Sequence, residues 1–167
     1  ILLKDDKTFP WIGIKNEAFP RVISTRKKEN DGTIYFGPYA NVKMMNTLLK
    51  LIKETYPLRS CNFDLRQKNI QENKFKVCLD YHIGKCKGPC VGYQTEENYL
   101  ESIHQITLLL KGKTNALLQE LKHKMQEHSK ELNFEKAQEY KEIYEQLLQY
   151  KSKSMVVSNH VLDLDVI

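Results

Sequence analysis

The sequence of 167 residues predicts an α+β fold in three successive parts. Short runs of aromatic and β-branched residues come first, and they indicate a small antiparallel β element followed by one helix. All four cysteines then fall between residues 57 and 93, where apolar periodicity is weak, which indicates a loop region that a metal organises. From residue 94 onward, apolar residues recur at helical spacing and predict a mainly α-helical part that ends in a helical hairpin.

The β element is predicted from three runs of aromatic and β-branched residues, at positions 8–14, 21–25 and 33–36. The segment between the first two runs has the composition of a turn, and an Asp-Gly pair precedes the third. Strands this short bury little surface by themselves, so we expect the sheet to pack against the next helix. That helix is predicted over residues 42–56, because apolar residues recur there every three or four positions and Pro57 ends the run.

The cysteine-rich region contains Cys61, Cys78, Cys86 and Cys90, which are separated by 16, 7 and 3 residues. No secretory signal is visible, and disulfides are disfavoured in a reducing compartment. Four thiolates brought together repel one another unless a cation or a cluster neutralises them. A metal site is therefore the economical explanation of this region.

The spacing leaves the identity of the metal open. Structural zinc sites usually show two closely spaced cysteine pairs, and here only Cys86 and Cys90 are close. Wide spacing with a final Gly-Pro-Cys suits a [4Fe–4S] cluster equally well. Unliganded core cysteines are the third interpretation. His82 is expected at the surface or beside the ligands more often than as a ligand itself.

The helical part is predicted to contain three helices. A Thr-Glu-Glu-Asn string starts the first at Thr95, Gly112 interrupts the pattern, and Asn133 caps the third helix. The second and third helices form a hairpin over about 117–150. Beyond residue 153 the apolar pattern changes to that of strands, at Met155–Ser158 and Asp163–Ile167, which predicts the start of another domain.

The hairpin carries one apolar stripe on each helix, and two helices alone do not bury both stripes completely. Phe134 lies at the tip, where a core residue is not expected. An exposed apolar patch there suits docking of another helical pair. The alternative is that the stripe packs against the preceding helix at 95–111, and periodicity alone leaves both interpretations open.

Charge is divided unevenly along the chain. Residues 1–93 hold 17 Lys and Arg against 9 Asp and Glu, a net +8, whereas residues 94–167 hold 9 against 12, a net −3. A basic first half suits a phosphate backbone, and a mildly acidic second half suits a protein partner. Candidate phosphate contacts crowd one predicted strand end: Arg21, Arg26, Lys27 and Lys28. A solvated lysine-rich surface is the alternative.

The composition and the first residue give two further indications about the kind of protein. No apolar run approaches the roughly 18 residues that a membrane helix needs, so no membrane contact is predicted. The chain begins with Ile1 rather than Met, and we expect it to be a piece of a longer protein.

Several strings, taken in order, resemble the UvrC family of bacterial excision-nuclease subunits. They cover nearly the whole chain: Leu2–Lys7, Phe19–Val22, Tyr35–Tyr39, Pro57–Cys61, Cys78–Cys90 and Leu132–Ala137. The last string resembles the UVR motif. The resemblance implies nucleotide excision repair of damaged double-stranded DNA in the bacterial cytoplasm, as part of the SOS response, by two incisions that flank a lesion.

The resemblance also implies a cofactor and a protein partner. The cofactor is a [4Fe–4S] cluster, with zinc as the alternative, and its ligands are Cys61, Cys78, Cys86 and Cys90. The partner is UvrB, which would bind through the hairpin residues Leu132, Phe134, Glu135, Ala137 and Tyr140. Without UvrB the same apolar patch would be free, so self-association of the hairpin is a further expectation.

Four regions follow from this resemblance: 1–56 after a GIY-YIG nuclease, 57–93 around the metal, 94–153 with the UVR hairpin, and 154–167 at the start of an RNase H-like domain. The catalytic residues of both nucleases are expected outside the chain, so the chain itself is predicted to be non-catalytic. The competing interpretation is a zinc-stabilised UVR-type adaptor that binds only a protein. Such adaptors carry paired Cys-x-x-Cys knuckles, which this sequence lacks.

Overall fold

A computed structural model describes the backbone of residues 9–166 and the side chains of residues 9–153. Within these residues a three-stranded antiparallel sheet precedes a series of helices, which confirms the predicted α+β class. The chain forms two compact units, one ending at Ile106 and one starting at Thr107. The division into four regions stays a prediction.

The sheet has β1 (Trp11–Ile14) at its centre, between β2 (Val22–Thr25) and β3 (Ile34–Phe36). Both neighbours run antiparallel to β1. Because side chains alternate along a strand, Ile12 and Ile14 point to the same face, and both are buried. All three strand predictions are confirmed, with starts one to three residues later than the sequence pattern suggests.

The turn between β1 and β2 is closed by a backbone hydrogen bond from Lys15 N to Arg21 O at 3.0 Å. Within it, Phe19 has a φ of 55°, a left-handed conformation that is uncommon outside glycine. Its side chain is nevertheless buried and packs edge-on against the ring of Tyr99, with 5.2 Å between centroids. Tertiary packing therefore holds this turn in a conformation that local preference disfavours.

The helix α1 (Val42–Thr55) confirms the prediction of an amphipathic helix after the sheet. It begins at Asn41, whose side-chain oxygen accepts a hydrogen bond from Met44 N at 3.1 Å. The helix ends at Tyr56, since a helix rarely continues through the residue before a proline. Its buried face consists of Met45, Leu48, Leu49, Ile52 and Thr55.

The cysteine-rich region contains only short regular elements. They are α2 (Gln67–Gln71), α3 (Leu79–His82) and a 3₁₀ turn at Pro89–Val91. The helix α4 (Glu96–Leu110) follows, and Thr95 caps it by accepting a hydrogen bond from Asn98 N at 3.2 Å. Neither α2 nor α3 contributes a buried residue, so these helices add little apolar packing, and the buried side chains of the region, such as Leu65, lie in its loops and its 3₁₀ turn.

The second unit contains the predicted helical hairpin. Its helices are α5 (Thr114–Lys130) and α6 (Phe134–Val166), and they pack against each other. Leu117 and Leu121 on α5 and Leu147 on α6 are fully buried, whereas the turn residues between the helices are exposed. The hairpin therefore buries its apolar stripes away from the tip and leaves the tip open to solvent.

The strands predicted at Met155–Ser158 and Asp163–Ile167 are wrong, because α6 continues as a helix through Val166. The last residue lies outside the described part of the chain. A new strand leaves its backbone groups unpaired until another strand joins it, whereas each added helical residue completes a hydrogen bond within the helix. The RNase H-like domain that these strands were to begin stays a prediction.

Candidate metal centre and docking hairpin

The four cysteines, which are spread over residues 61–90, line one cavity in the first unit. All four are free thiols: Cys90 is buried, Cys61 and Cys86 are half-buried, and Cys78 is exposed. His82 is exposed at the end of α3 and does not line this cavity. The possible donors that line the cavity are thus these four sulfur atoms and the carboxylate of Asp80, which accepts a hydrogen bond from Ser60.

Backbone bends in the loop after α3 bring two of these cysteines back to the cavity. The carbonyl oxygen of Asp80 accepts hydrogen bonds from the amides of Lys85 at 2.8 Å and Cys86 at 3.2 Å, which reverses the chain. Gly88 has a φ of 73°, and a Cβ there would stand 3.1 Å from the ring of Tyr81. Only glycine meets both conditions, so this residue lets the 3₁₀ turn place Cys90 beside the other thiols.

The thiols influence one another electrostatically. Burial is the largest cause that raises the pKa of Cys86 and of Cys90, and the neighbouring cysteines raise both pKa values further. A raised pKa keeps a thiol protonated at neutral pH, whereas metals bind the thiolate. A bound cation would therefore have to displace these protons, and its charge would offset the repulsion among the four sulfur atoms.

The donor chemistry fits a four-thiolate group. Among residues 9–153, no three side chains of the His, Cys, Asp and Glu types are arranged closely enough to hold a single metal ion. In a tetrahedral zinc site each sulfur lies about 2.3 Å from the metal, so the sulfur atoms crowd closely. Four thiols that line one cavity can bind either a zinc ion or an iron–sulfur cluster once their side chains close around it.

Arg59, which lies in the string Pro57–Cys61, is a further residue at this site. It is 3% exposed, and its guanidinium contacts both the cysteine loop and the β1–β2 turn. On the cysteine side, Nη1 lies 3.7 Å from Cys61 Sγ and donates to the carbonyl oxygen of Phe63 at 2.7 Å. An arginine two positions before a cysteine does not by itself indicate a contact between them, so this contact could not be predicted from the sequence.

On the other side, Arg59 holds the β1–β2 turn. Its Nε donates to the carbonyl oxygen of Phe19 at 2.7 Å, and Nη2 lies 3.3 Å from Glu17 Oε2. Burial by itself raises the pKa of Glu17, but the hydrogen bond from Arg21 and the charge of Arg59 outweigh it and lower that pKa. Glu17 is therefore ionised at neutral pH, and its contact with Arg59 connects the turn to the loop that carries Cys61.

The four basic residues predicted to contact phosphate do not form one cluster. Arg21 precedes β2 and Arg26 follows it, so they lie at opposite ends of the strand rather than at one end. Arg21 Nε is paired with Glu17 Oε1 at 2.7 Å. Lys28 Nζ lies 4.3 Å from the centroid of the Trp11 ring, which occupies its charge in a cation–π contact.

The residues predicted to bind a partner divide into an exposed and an inner set. Leu132 is 72% exposed and Phe134 65% exposed, and Glu135 beside them is also exposed. Ala137 is half-buried and Tyr140 is buried. The exposed residues form an apolar tip with one carboxylate, and the inner residues pack beneath that tip.

The geometry of the tip is set by its turn and by one inner ring. Leu132 has a φ of 62°, and Asn133 N donates to His128 O at 2.8 Å, which ends α5 before Asn133 caps α6. The Tyr140 ring stacks on the His128 ring with 5.4 Å between centroids. These contacts fix the direction in which Phe134 leaves the hairpin.

The string Leu2–Lys7 and the side chains of Asp163 and Asp165 lie outside the described residues. In the part of the chain that is described, no helix is long and apolar enough to cross a membrane.

Comparisons with known proteins agree on one family. A family model described as UvrC/Cho excinuclease, middle domain, matches residues 9–109, and one described as the UvrB/uvrC motif matches residues 115–142. The chain is 49% identical over 166 residues to UvrABC system protein C of Flavobacterium johnsoniae and 51% identical over 166 residues to that of Bacteroides thetaiotaomicron. Each alignment covers 99% of this chain but only 28% and 27% of the relatives. No solved structure matches the chain.

Proposed function

Because this chain belongs to the UvrC/Cho excinuclease middle-domain family, we propose that it is the metal-binding and partner-recruiting part of a nucleotide excision repair nuclease. The parent protein incises damaged double-stranded DNA on both sides of a lesion in the bacterial cytoplasm. The relatives are about three to four times longer than this chain, and we assign both incisions to their other parts. The residues described above organise the protein and its contacts rather than cut DNA.

The metal group is a [4Fe–4S] cluster held by Cys61, Cys78, Cys86 and Cys90. The convergence of four thiols on one cavity supports this assignment, and so does the resemblance of the cysteine strings to the UvrC family. When bound, the cluster supplies four cross-links to a region with little apolar packing, together with one-electron redox chemistry. Arg59 contributes a positive charge beside Cys61, and burial of Cys90 keeps water from one side.

Absorption of the chain purified without oxygen tests the metal assignment. We expect a broad band near ~400 nm with stoichiometric iron and sulfide, and its loss in Cys86→Ser. His82→Ala, which alters a donor outside the cavity, is the matched control and should keep the band. A colourless protein that contains zinc would reject the cluster and favour the zinc-stabilised adaptor.

The hairpin tip recruits UvrB. The match of residues 115–142 to the UvrB/uvrC motif supports this proposal, and so do the exposed side chains of Leu132 and Phe134 at the tip. Exposed apolar side chains on a preformed turn are typical anchors for another helical pair. The buried Tyr140 acts through the tip geometry and does not contact the partner directly.

Binding of UvrB to Phe134→Ala tests the hairpin. Aromatic anchors at interfaces contribute roughly 2 kcal/mol or more, so we expect affinity to fall at least about thirtyfold with no change in helicity. Leu148→Ala removes another exposed apolar side chain from α6 and is the matched control. Equal loss in both variants, or none in either, would contradict the role of the tip.

A further inference from the structure

A wide groove lies in the first unit between β2, α1 and the loop that carries Cys78 and Cys86. Its volume is about 950 Å³, and it is open to solvent along its length. Small-molecule sites enclose most of the surface of their ligand, whereas an open groove leaves one side of the ligand in solvent, which suits a segment of a polymer.

Five cationic side chains line the groove against two carboxylates, those of Glu54 and Asp80. Two of the cations, Arg21 and Arg59, are paired with Glu17 behind the groove wall. The other three are Lys50, Lys53 and Lys85, and all three are exposed. Lysine is therefore the cation that the groove presents to a ligand.

The carboxylates do little to cancel these lysines. Glu54 lies 3.9 Å from Lys50 in an exposed pair, which is a weak interaction in water. Asp80 accepts a hydrogen bond from the Ser60 hydroxyl at 2.5 Å and is held against the cysteine loop. Lys53 and Lys85 have no ion pair with any residue in the described part of the chain, so their ammonium groups are available.

The lysines are arranged along the groove rather than at one point. Lys50 and Lys53 lie on one face of α1, separated by roughly 4.5 Å along the helix axis. Successive phosphates of one DNA strand advance by about 3.4 Å along the duplex axis, a comparable spacing. Lys85 lines the same groove from the cysteine loop, so two elements contribute cations to it.

We infer that this groove binds the phosphate backbone of duplex DNA, with Lys50, Lys53 and Lys85 as its phosphate contacts. The inference rests on the proposed function, in which the chain contacts DNA, and it assigns that contact to the groove. Of the predicted contacts Arg21, Arg26, Lys27 and Lys28, Arg21 alone lines the groove, and the inference assigns the contact to three other residues instead. Because Arg59, Ser60 and Asp80 line both the groove and the cysteine cavity, the metal-binding loop forms one wall of the DNA site.

Titration of a fluorescent duplex with the full chain, at several salt concentrations, tests the groove. In the triple variant Lys50→Gln, Lys53→Gln and Lys85→Gln, we expect roughly tenfold or greater loss of affinity. The slope of log affinity against log salt should fall by about three, one for each lysine. The matched control changes three exposed lysines that do not line the groove, by the substitutions Lys43→Gln, Lys68→Gln and Lys122→Gln.

Acetylation footprinting gives a second readout that does not depend on the folding of a variant. Duplex should protect Lys50, Lys53 and Lys85 of the unaltered chain from an amine-reactive reagent, while Lys43 and Lys68 react at the same rate as before. Protection of Lys43 and Lys68 instead of the groove lysines would overturn the inference.

The outcomes separate the groove from the proposed function. If the unaltered chain binds no duplex, the proposed DNA contact fails and the groove assignment fails with it. If the chain binds duplex and the groove variant binds as well as the control, the groove assignment alone fails. If polyglutamate displaces duplex at equal charge concentration, the groove is a site for acidic protein segments and the inference is overturned.

Discussion

At the scale of single residues, Arg59 shows how a buried charge organises a site. Its guanidinium has an ion-pair partner in Glu17, and its other donors reach backbone carbonyls on two segments and the sulfur of Cys61. A buried arginine is stable only when its donors are satisfied in this way. The residue therefore connects the turn before β2 to the loop that carries the first cysteine.

Replacing Arg59 should destabilise the first unit strongly. Arg59→Met removes the charge that Glu17 faces and leaves the carbonyl oxygens of Phe19 and Phe63 without their donor, so we expect a loss of about 3–5 kcal/mol in the free energy of unfolding. Urea denaturation measures this loss. Arg66→Gln, which breaks an exposed pair with Asp64, is the control and should change stability little. Similar effects of the two substitutions would show that the contacts of Arg59 do not stabilise the first unit more than an exposed ion pair does.

The same pair gives stability a dependence on pH. In the folded chain the pKa of Glu17 lies below its ordinary value of 4.5, because Arg21 and Arg59 together outweigh the effect of burial. This contribution is fully present above the unfolded pKa and is lost as the pH falls through the lower folded pKa. The difference in unfolding free energy between the unaltered chain and Glu17→Gln should therefore shrink between about pH 7 and about pH 3. A difference that stays constant would refute the assignment.

At the scale of elements, α4 is joined to the sheet by one side chain. The hydroxyl of Tyr99 donates to Pro20 O at 2.8 Å and accepts from Arg59 N at 3.4 Å, although 79 residues separate Tyr99 from Pro20. Burial raises the pKa of Tyr99, so its hydroxyl keeps the proton that it donates. The helix, the turn and the start of the cysteine loop thus meet at one phenol.

Removing that hydroxyl tests this connection. Tyr99→Phe leaves a buried carbonyl and a buried amide without their partner, which should cost about 1–3 kcal/mol of stability while the ring still packs on Phe19. Tyr93→Phe, at a ring that is 65% exposed, is the matched control. Thermal unfolding compares the two variants, and an unchanged midpoint for Tyr99→Phe would contradict this account.

At the scale of the whole molecule, the candidate metal site and the hairpin tip belong to different compact units. The cysteine-rich region contains two short helices without buried residues, whereas the hairpin has an apolar interface between two long helices. If the proposed metal is bound, order in the first case depends on its ligands, whereas in the second it comes from side-chain packing.

Metal removal should therefore affect the two units differently. Without its metal, the region 57–93 should exchange its amide hydrogens roughly tenfold faster or more, because the thiols are the main links across it. Exchange in α5 and in α6 up to residue 150 should stay unchanged, and UvrB should still bind. Hydrogen-exchange mass spectrometry locates the effect, and equal loss of protection in both units would contradict this separation.

The order and type of most elements could be predicted from the sequence, because the patterns that specify them act over short stretches of the chain. Alternating and helical periodicities, the Asn41 and Asn133 caps and the break at Gly112 all act within a few residues of where they stand. The helix after residue 154 was mispredicted because a short apolar run suits a strand or a helix equally well, and continuation of an existing helix decided between them.

Contacts between residues that are distant in sequence could be identified only from the tertiary structure. Cysteines spread over 30 positions share one cavity, the basic residues flanking β2 fall at opposite ends of it, and lysines from α1 and the cysteine loop face one groove. Arg59 became visible only through its contacts with segments about 40 residues away. Such contacts depend on chain reversals and packing over long sequence separations, and no pattern within a short window encodes them.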